Sequence, residues 1–368
     1  VAAADLLAGA ADAAASPSAT WSLAREFMRA YGPDGLARFC ATWGRTGSQQ
    51  EAFAALGTSP DAFASAWEDT VLQPLMAARQ GVQETLAQRQ QAVLALDREQ
   101  FLATVDDADP VFRLEEERWI DGLTQPPARY QLSGQVLGLD ANGDALARLA
   151  LEAITPDGFA LRPTYIARFR QVDGRWLLTG PNWETESSEH FVLRWSADGA
   201  NAADLLAAAE AAYAQVIADL GREPAGVMEI RLYEAAEQIN ASLPWSVPVW
   251  RMEEGPAGYW QPGESIKVVA DTPIDVAQGV ARRLTLQLLA DMGIEQDWLR
   301  EGVALYETLR ACPTLAGGIK AQVVPALGKA QRFHMLYDWE QMPALSDLAI
   351  EDVTLFSGQS WFFVEQLT

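Results

Sequence analysis

The sequence predicts an α+β protein with a helical N-terminal segment, and three observations carry that prediction. Residues 1 to about 100 place apolar and aromatic side chains at helical spacing and show no strand pattern. Between Tyr130 and Thr179, alternating runs are separated by Ala141-Asn142-Gly143-Asp144, Pro156-Asp157-Gly158 and Val172-Asp173-Gly174, which read as hairpin turns. Beyond Glu184, short strand-like runs alternate with longer helical ones. The expected organisation is a helical segment over 1–79, a helix-plus-meander domain over 80–186 and an α+β domain over 187–368.

Composition bounds the function. The chain has 368 residues, about half of them apolar, enough to bury sizeable cores. Fifty acidic residues against 27 basic ones give a net charge of −23, which argues against nucleic acid and anionic membranes as partners. No apolar run reaches membrane-spanning length. The two cysteines, Cys40 and Cys312, have no metal-ligand spacing, and a single bridge between them stays open. With only His190 and His334, a His-rich metal site is not expected, and both histidines read as structural residues. The chain opens on Val1 and closes in SWFFVEQLT, the pattern of a helix interior, so a fragment of a longer protein or a processed product is expected.

The elements follow in order. Thr20 to Tyr31 is an amphipathic helix carrying Trp21, Leu23, Phe27 and Met28. Gly32-Pro33 interrupts it, and Pro33 suits the first turn of a helix with Leu36, Phe39 and Trp43. Ser48 to Leu56 is a third helix, and Ser59-Pro60-Asp61 caps a fourth with Phe63, Trp67 and Val71 inward. Glu84 to Ala95 is helical, Asp97 opens another turn, and Asp109-Pro110 starts a helix with Phe112, Trp119 and Ile120 inward. On that helix Glu115, Glu116 and Glu117 read as a solvated charge run. Strands are expected at Tyr130–Leu139, Ala145–Ile154, Phe159–Gln171 and Arg175–Thr179. Ser187–Trp195 reads as a strand, Asn201–Leu220 as a long helix, Val227–Tyr233 as a strand and Ala235–Ile239 as a short helix. The Trp- and Pro-rich stretch 244–260 is expected to loop over a cleft bordered by an edge strand, Ser265–Val269. Asp271-Thr272-Pro273 caps a helix that Gly293 ends, and Trp298–Thr308 forms the next.

Helices followed by a meander closing on Gly174-Arg175-Trp176-Leu177-Leu178 resemble the nuclear-transport-factor-2-like (cystatin-type) fold. That resemblance implies a cone-shaped pocket but no particular chemistry. Asp109, Glu115 and Tyr130 are placed either at the mouth of such a pocket or, as expected here, on the surface, and no Asp/His pair argues for catalysis.

The block Gly279–Glu307, GVARRLTLQLLADMGIEQDWLREGVALYE, resembles the gluzincin metallopeptidases, most closely the peptidase-MA-like family. In that family H-E-x-x-H on one helix and a Glu followed by Gly-x-Ala on the next hold a catalytic zinc. Here Arg282 stands at the first His, Arg283 at the general base and Leu286 at the second His; only Glu301 keeps the family's residue. The stretch from Leu286 to Glu301 is also shorter than in the family. Arginine keeps its proton and leucine offers no donor atom, so the resemblance implies a pseudo-enzyme without metal or cofactor. An Arg282–Glu301 ion pair is expected to replace the metal as the pin between the helices.

The resemblance extends to the helical segment 1–79, which looks like the C-terminal tail of such a domain. Ser357–Leu367, SGQSWFFVEQL, is similar to Pro17–Phe27, PSATWSLAREF, with Trp361 matching Trp21. Two explanations stay open: a tandem array of units, or a tail completing residues 187–368 in cis or between molecules. The second makes self-association through residues 1–79 an expectation.

The functional expectation is a non-catalytic, extracytoplasmic scaffold or binding module. A groove of Trp245, Trp250, Tyr259, Trp260, Ile266 and Val268 would take a peptide or glycan; alternatively, the aromatics fill the emptied site. The competing expectation is an accessory part of an active hydrolase, with its chemistry in a flanking repeat or in the cystatin-type pocket.

Overall fold

The computed structural model describes residues 17–156, 158–196, 201–245, 262–269, 272–344, 348 and 350–367. It is a mixed α+β protein with a helical N-terminal segment and an antiparallel sheet. The chain divides into two compact units, Val1–Gly81 and Val82–Thr368.

In the first unit, helix α1 (Pro17–Thr46) changes direction at Gly32, whose φ of 64° is left-handed and favours glycine. Helices α2 (Gln49–Ala54) and α3 (Pro60–Trp67) are capped by Ser48 and Ser59, whose side chains accept from Glu51 N and Ala62 N. Leu23, Phe27, Phe39, Phe53, Phe63 and Trp67 form the core. The Phe27 ring has the rings of Phe39, Phe53 and Phe63 within 5.1–6.0 Å, mostly edge to face.

The second unit begins within helix α4 (Gln73–Ala95), followed by α5 (Arg98–Leu102) and α6 (Pro110–Asp121). Asp97 and Asp109 cap α5 and α6 as their spacing predicts. Strands β1 (Arg129–Leu139), β2 (Ala145–Ile154), β4 (Thr164–Val172) and β5 (Arg175–Pro181) form an antiparallel meander in that order, and β3 (Ala160–Leu161) pairs with β2. The single run expected at 159–171 is therefore split. Pro163 lies between the pieces, where it has no N–H to give the ladder, and its carbonyl accepts from Leu151 N. Asp173 and Gly174 adopt the positive φ that a two-residue hairpin requires, and Gly143 adopts positive φ in the longer turn between Asp140 and Asp144. Gly134 lets α4 lie close on β1, because a Cβ there would sit 2.6 Å from Leu86 Cδ1.

A second sheet has the order β6 (Glu184–Ser187), β7 (Phe191–Trp195), β8 (Met228–Tyr233), β9 (Ile266–Val269). Strands β7, β8 and β9 are parallel and β6 is antiparallel to β7, so the stretch expected as one strand is a hairpin turning around 188–190. Helices α7 (Ala202–Leu220) and α9 (Pro273–Asp291) cover one face through Phe191, Leu193, Leu206, Ile230, Val268 and Val280. Gly279 admits this contact, since a Cβ would meet Val268 Cγ2 at 2.7 Å. The short helix α8 (Ala236–Ser242) follows β8, and α10 (Asp297–Ala311), α11 (Pro313–Arg332) and α12 (Ile350–Leu367) complete the unit. No helix among the described residues is long and apolar enough to cross a membrane.

Candidate functional site

Arg282, Arg283 and Leu286 lie on α9 and Glu301 lies on α10. Thr272 accepts from Asp275 N and starts α9; Gln296 precedes the first residue of α10. Arg282 donates from Nη2 to Glu301 Oε2, joining the two helices by the expected ion pair. Leu286, one turn on, is buried, and so is Arg283. A cation, an aliphatic side chain and one carboxylate do not fit a zinc ion. Among the described residues, no group of three or more His, Cys, Asp and Glu is placed to hold a metal.

The expected groove residues part company. Ile266 and Val268 are buried against α9, not open to a cleft, although β9 is an edge of the sheet as described. Strand alternation explains this, because the face they occupy is the one the helices cover. Trp245 is likewise buried, with its ring 5.1 Å from Trp119 in the core beneath the meander. Trp250, Tyr259 and Trp260 lie outside the described residues, as does the side chain of Trp21. His190 is built into the fold: Nδ1 is 2.7 Å from Glu210 Oε2 and the ring stacks on Tyr213. His334, exposed, sits at positive φ just beyond α11. Cys40 is exposed and Cys312 buried, and both are free thiols.

Between the two sheets is a charge network that the sequence reading placed on the surface. Glu115 accepts from Arg231 Nη1 at 2.7 Å, from Ser265 N at 3.0 Å and from Ser265 Oγ at 2.6 Å, and Lys267 Nζ lies at 3.3 Å. Arg231 also meets Glu229 and Asp109, and Asp109 accepts from Arg194 while capping α6. Burial penalises the Glu115 charge, but Arg231, Lys267 and Ser265 outweigh it and hold the carboxyl at about 2. Glu116 pairs with the buried Arg89. Thus, of the three charges read as a solvated run, Glu115 is buried and Glu116 is partly buried. Phe112, Glu115 and Trp119 stand three and four residues apart, which puts Glu115 on the apolar face; that spacing was the available signal.

Beside this network is a cavity of about 320 Å³. Its inner wall comes from α4, α6 and the meander, through Arg89, Phe112, Trp119, Tyr130 and Tyr165. Trp183, just before β6, Tyr233 on β8, and Gln238 and Ser242 on α8 line it too. Burial raises the Tyr130, Tyr165 and Tyr233 phenols above their ordinary range, so all three remain protonated donors near neutral pH.

Comparison with family models, with curated proteins and with solved structures finds no match to the chain.

Neither the α9/α10 locus nor the cavity pairs a nucleophile with an adjacent histidine, since His190 is held by Glu210 and His334 is exposed.

Proposed function

We propose that the chain is a non-catalytic relative of the peptidase-MA-like metallopeptidases, acting as a scaffold or binding module joined to a cystatin-type domain. One observation carries this reading: the Arg282 guanidinium reaches Glu301 across α9 and α10, where the family's arrangement would put a metal. Arginine is a permanent cation, so the contact gives the carboxylate a counter-charge without coordination chemistry. Among the described residues β9 pairs only with β8 and is an edge strand, which supports a binding role, because a strand edge can accept an extended peptide through main-chain hydrogen bonds.

The test is metal content by inductively coupled plasma mass spectrometry after zinc loading and exhaustive dialysis, with a casein-cleavage assay on the same sample. Less than about a tenth of a zinc per chain and no cleavage are expected for a site lacking both imidazoles. Stoichiometric zinc with cleavage would overturn the reading.

A further inference from the structure

The cavity between the meander and the β8–α8 corner is used by nothing described above, and its walls define what fits. At about 320 Å³ it stands at the small end of ligand pockets, which run ~300–1,000 Å³. That favours a compound of one or two rings. Phe112, Trp119, Tyr130, Tyr165, Trp183 and Tyr233 all line it, offering aromatic faces and edges for stacking.

Charge narrows the class. Arg89 is matched by Glu116, and Arg231 by Glu115. Arg148 and Glu234 also line the cavity; both are exposed and their signs are opposite. A charged ligand would lose its hydration and find no spare counter-charge in the interior among the described residues.

Hydrogen-bonding capacity narrows it again. Gln238 donates to Thr164 O at 2.9 Å and accepts from Glu234 N at 3.1 Å; Asn182 Oδ1 accepts from Arg168 Nη2 at 2.8 Å. These groups are already engaged, so a saccharide would bring more hydroxyls than the walls can satisfy. The Tyr165 hydroxyl differs, having no hydrogen-bond partner among the described residues. It is a protonated donor at the cavity wall.

We propose that this cavity binds a small, uncharged aromatic compound that presents an acceptor oxygen to the Tyr165 hydroxyl. The proposal does not depend on the pseudo-peptidase reading, whose test is metal content.

The experiment is ¹⁹F NMR on the full chain with three probes: 4-fluoroacetophenone, 4-fluorobenzoate and 2-fluoro-2-deoxyglucose. The ketone resonance should shift and broaden, while the benzoate and the sugar stay sharp. Tyr165→Phe keeps the ring and removes the donor, and should weaken ketone binding about 3- to 10-fold, as one neutral hydrogen bond implies. Ala241→Trp should fill the cavity and abolish the effect. Circular dichroism checks the fold of each variant, and if Ala241→Trp does not fold, the Tyr165→Phe comparison decides. An unperturbed ketone, equal ketone affinity in wild type and Tyr165→Phe, or preference for benzoate or sugar would each overturn the proposal.

Discussion

Glu115 on α6 and Arg231 on β8 form an ion pair at 2.7 Å that is nearly sealed from solvent, the carboxylate 6% and the guanidinium 1% exposed. A helix over one sheet thereby supplies the counter-charge for a strand of the other. Removing one partner leaves the rest of the cluster uncompensated. Glu115→Gln should cost about 3–5 kcal/mol, measured as a lower urea midpoint at unchanged slope. A change below about 0.5 kcal/mol, the surface-substitution range, would mean that the pair contributes nothing.

The same carboxylate makes stability pH-dependent on the acid side. Its folded value, about 2, lies below the ordinary 4.5. Its contribution is complete above about pH 4.5 and is lost as pH falls toward about 2, on the order of 3 kcal/mol in all. Denaturation midpoints between pH 6 and pH 2.5 should fall more steeply in wild type than in Glu115→Gln. Parallel curves would contradict this.

Glu307 behaves in the opposite sense. Burial, with Asp219 nearby, raises its carboxyl to about 7, and one of its oxygens is buried without a hydrogen-bond partner among the described residues. A raised folded value gives stability that is full below the ordinary 4.5 and lost as pH climbs through about 7. Glu307→Gln should therefore stabilise the protein at pH 8 by about 1–3 kcal/mol and matter little at pH 4.5. Thermal melts at the two values check it; equal shifts at both would sink the assignment.

For the pin between α9 and α10, a double-mutant cycle separates pair from packing. Arg282→Ala should destabilise by about 1–3 kcal/mol because Glu301 is left buried without its counter-charge. Adding Glu301→Gln should recover part of that loss. Strictly additive effects would show that the two side chains are not coupled.

Close helix packing supplies another prediction. A Cβ at Gly302 would sit 2.5 Å from Ser360 O, a backbone atom of α12. Gly302→Ala must push α10 and α12 apart, at a cost of about 1–3 kcal/mol offset partly by alanine's better helix propensity. Gly317, on α11 with open space around it, is the control: Gly317→Ala should be neutral or stabilising in the same melt.

Local signals were readable where local chemistry decides the outcome. Ser59, Asp97, Asp109 and Thr272 cap helices because their side chains accept from N–H groups two or three residues on. Asp173-Gly174 turns because the hairpin demands positive φ there. Helix α11 is not legible in the sequence, since Gly317, Gly318, Pro325 and Gly328 punctuate it; packing of Val323 and Ala330 overrides that weak propensity. The candidate site was harder. The Arg282–Glu301 contact could be expected from a resemblance between two helices. Trp245 could not be placed by pattern, because its partner Trp119 is far away in sequence. Glu115 reads as exposed because three adjacent glutamates suggest solvent, while Arg231 and Lys267, which neutralise it, stand on strands more than a hundred residues on.

That shared neutralisation bears on how such a chain can be recombined. A crossover near residue 186 would part Asp109 and Glu115 from Arg194, Arg231 and Lys267. Each fragment would then carry unmatched charge on a surface shaped for burial. Shuffling either sheet onto a new neighbour therefore requires several charge changes at once.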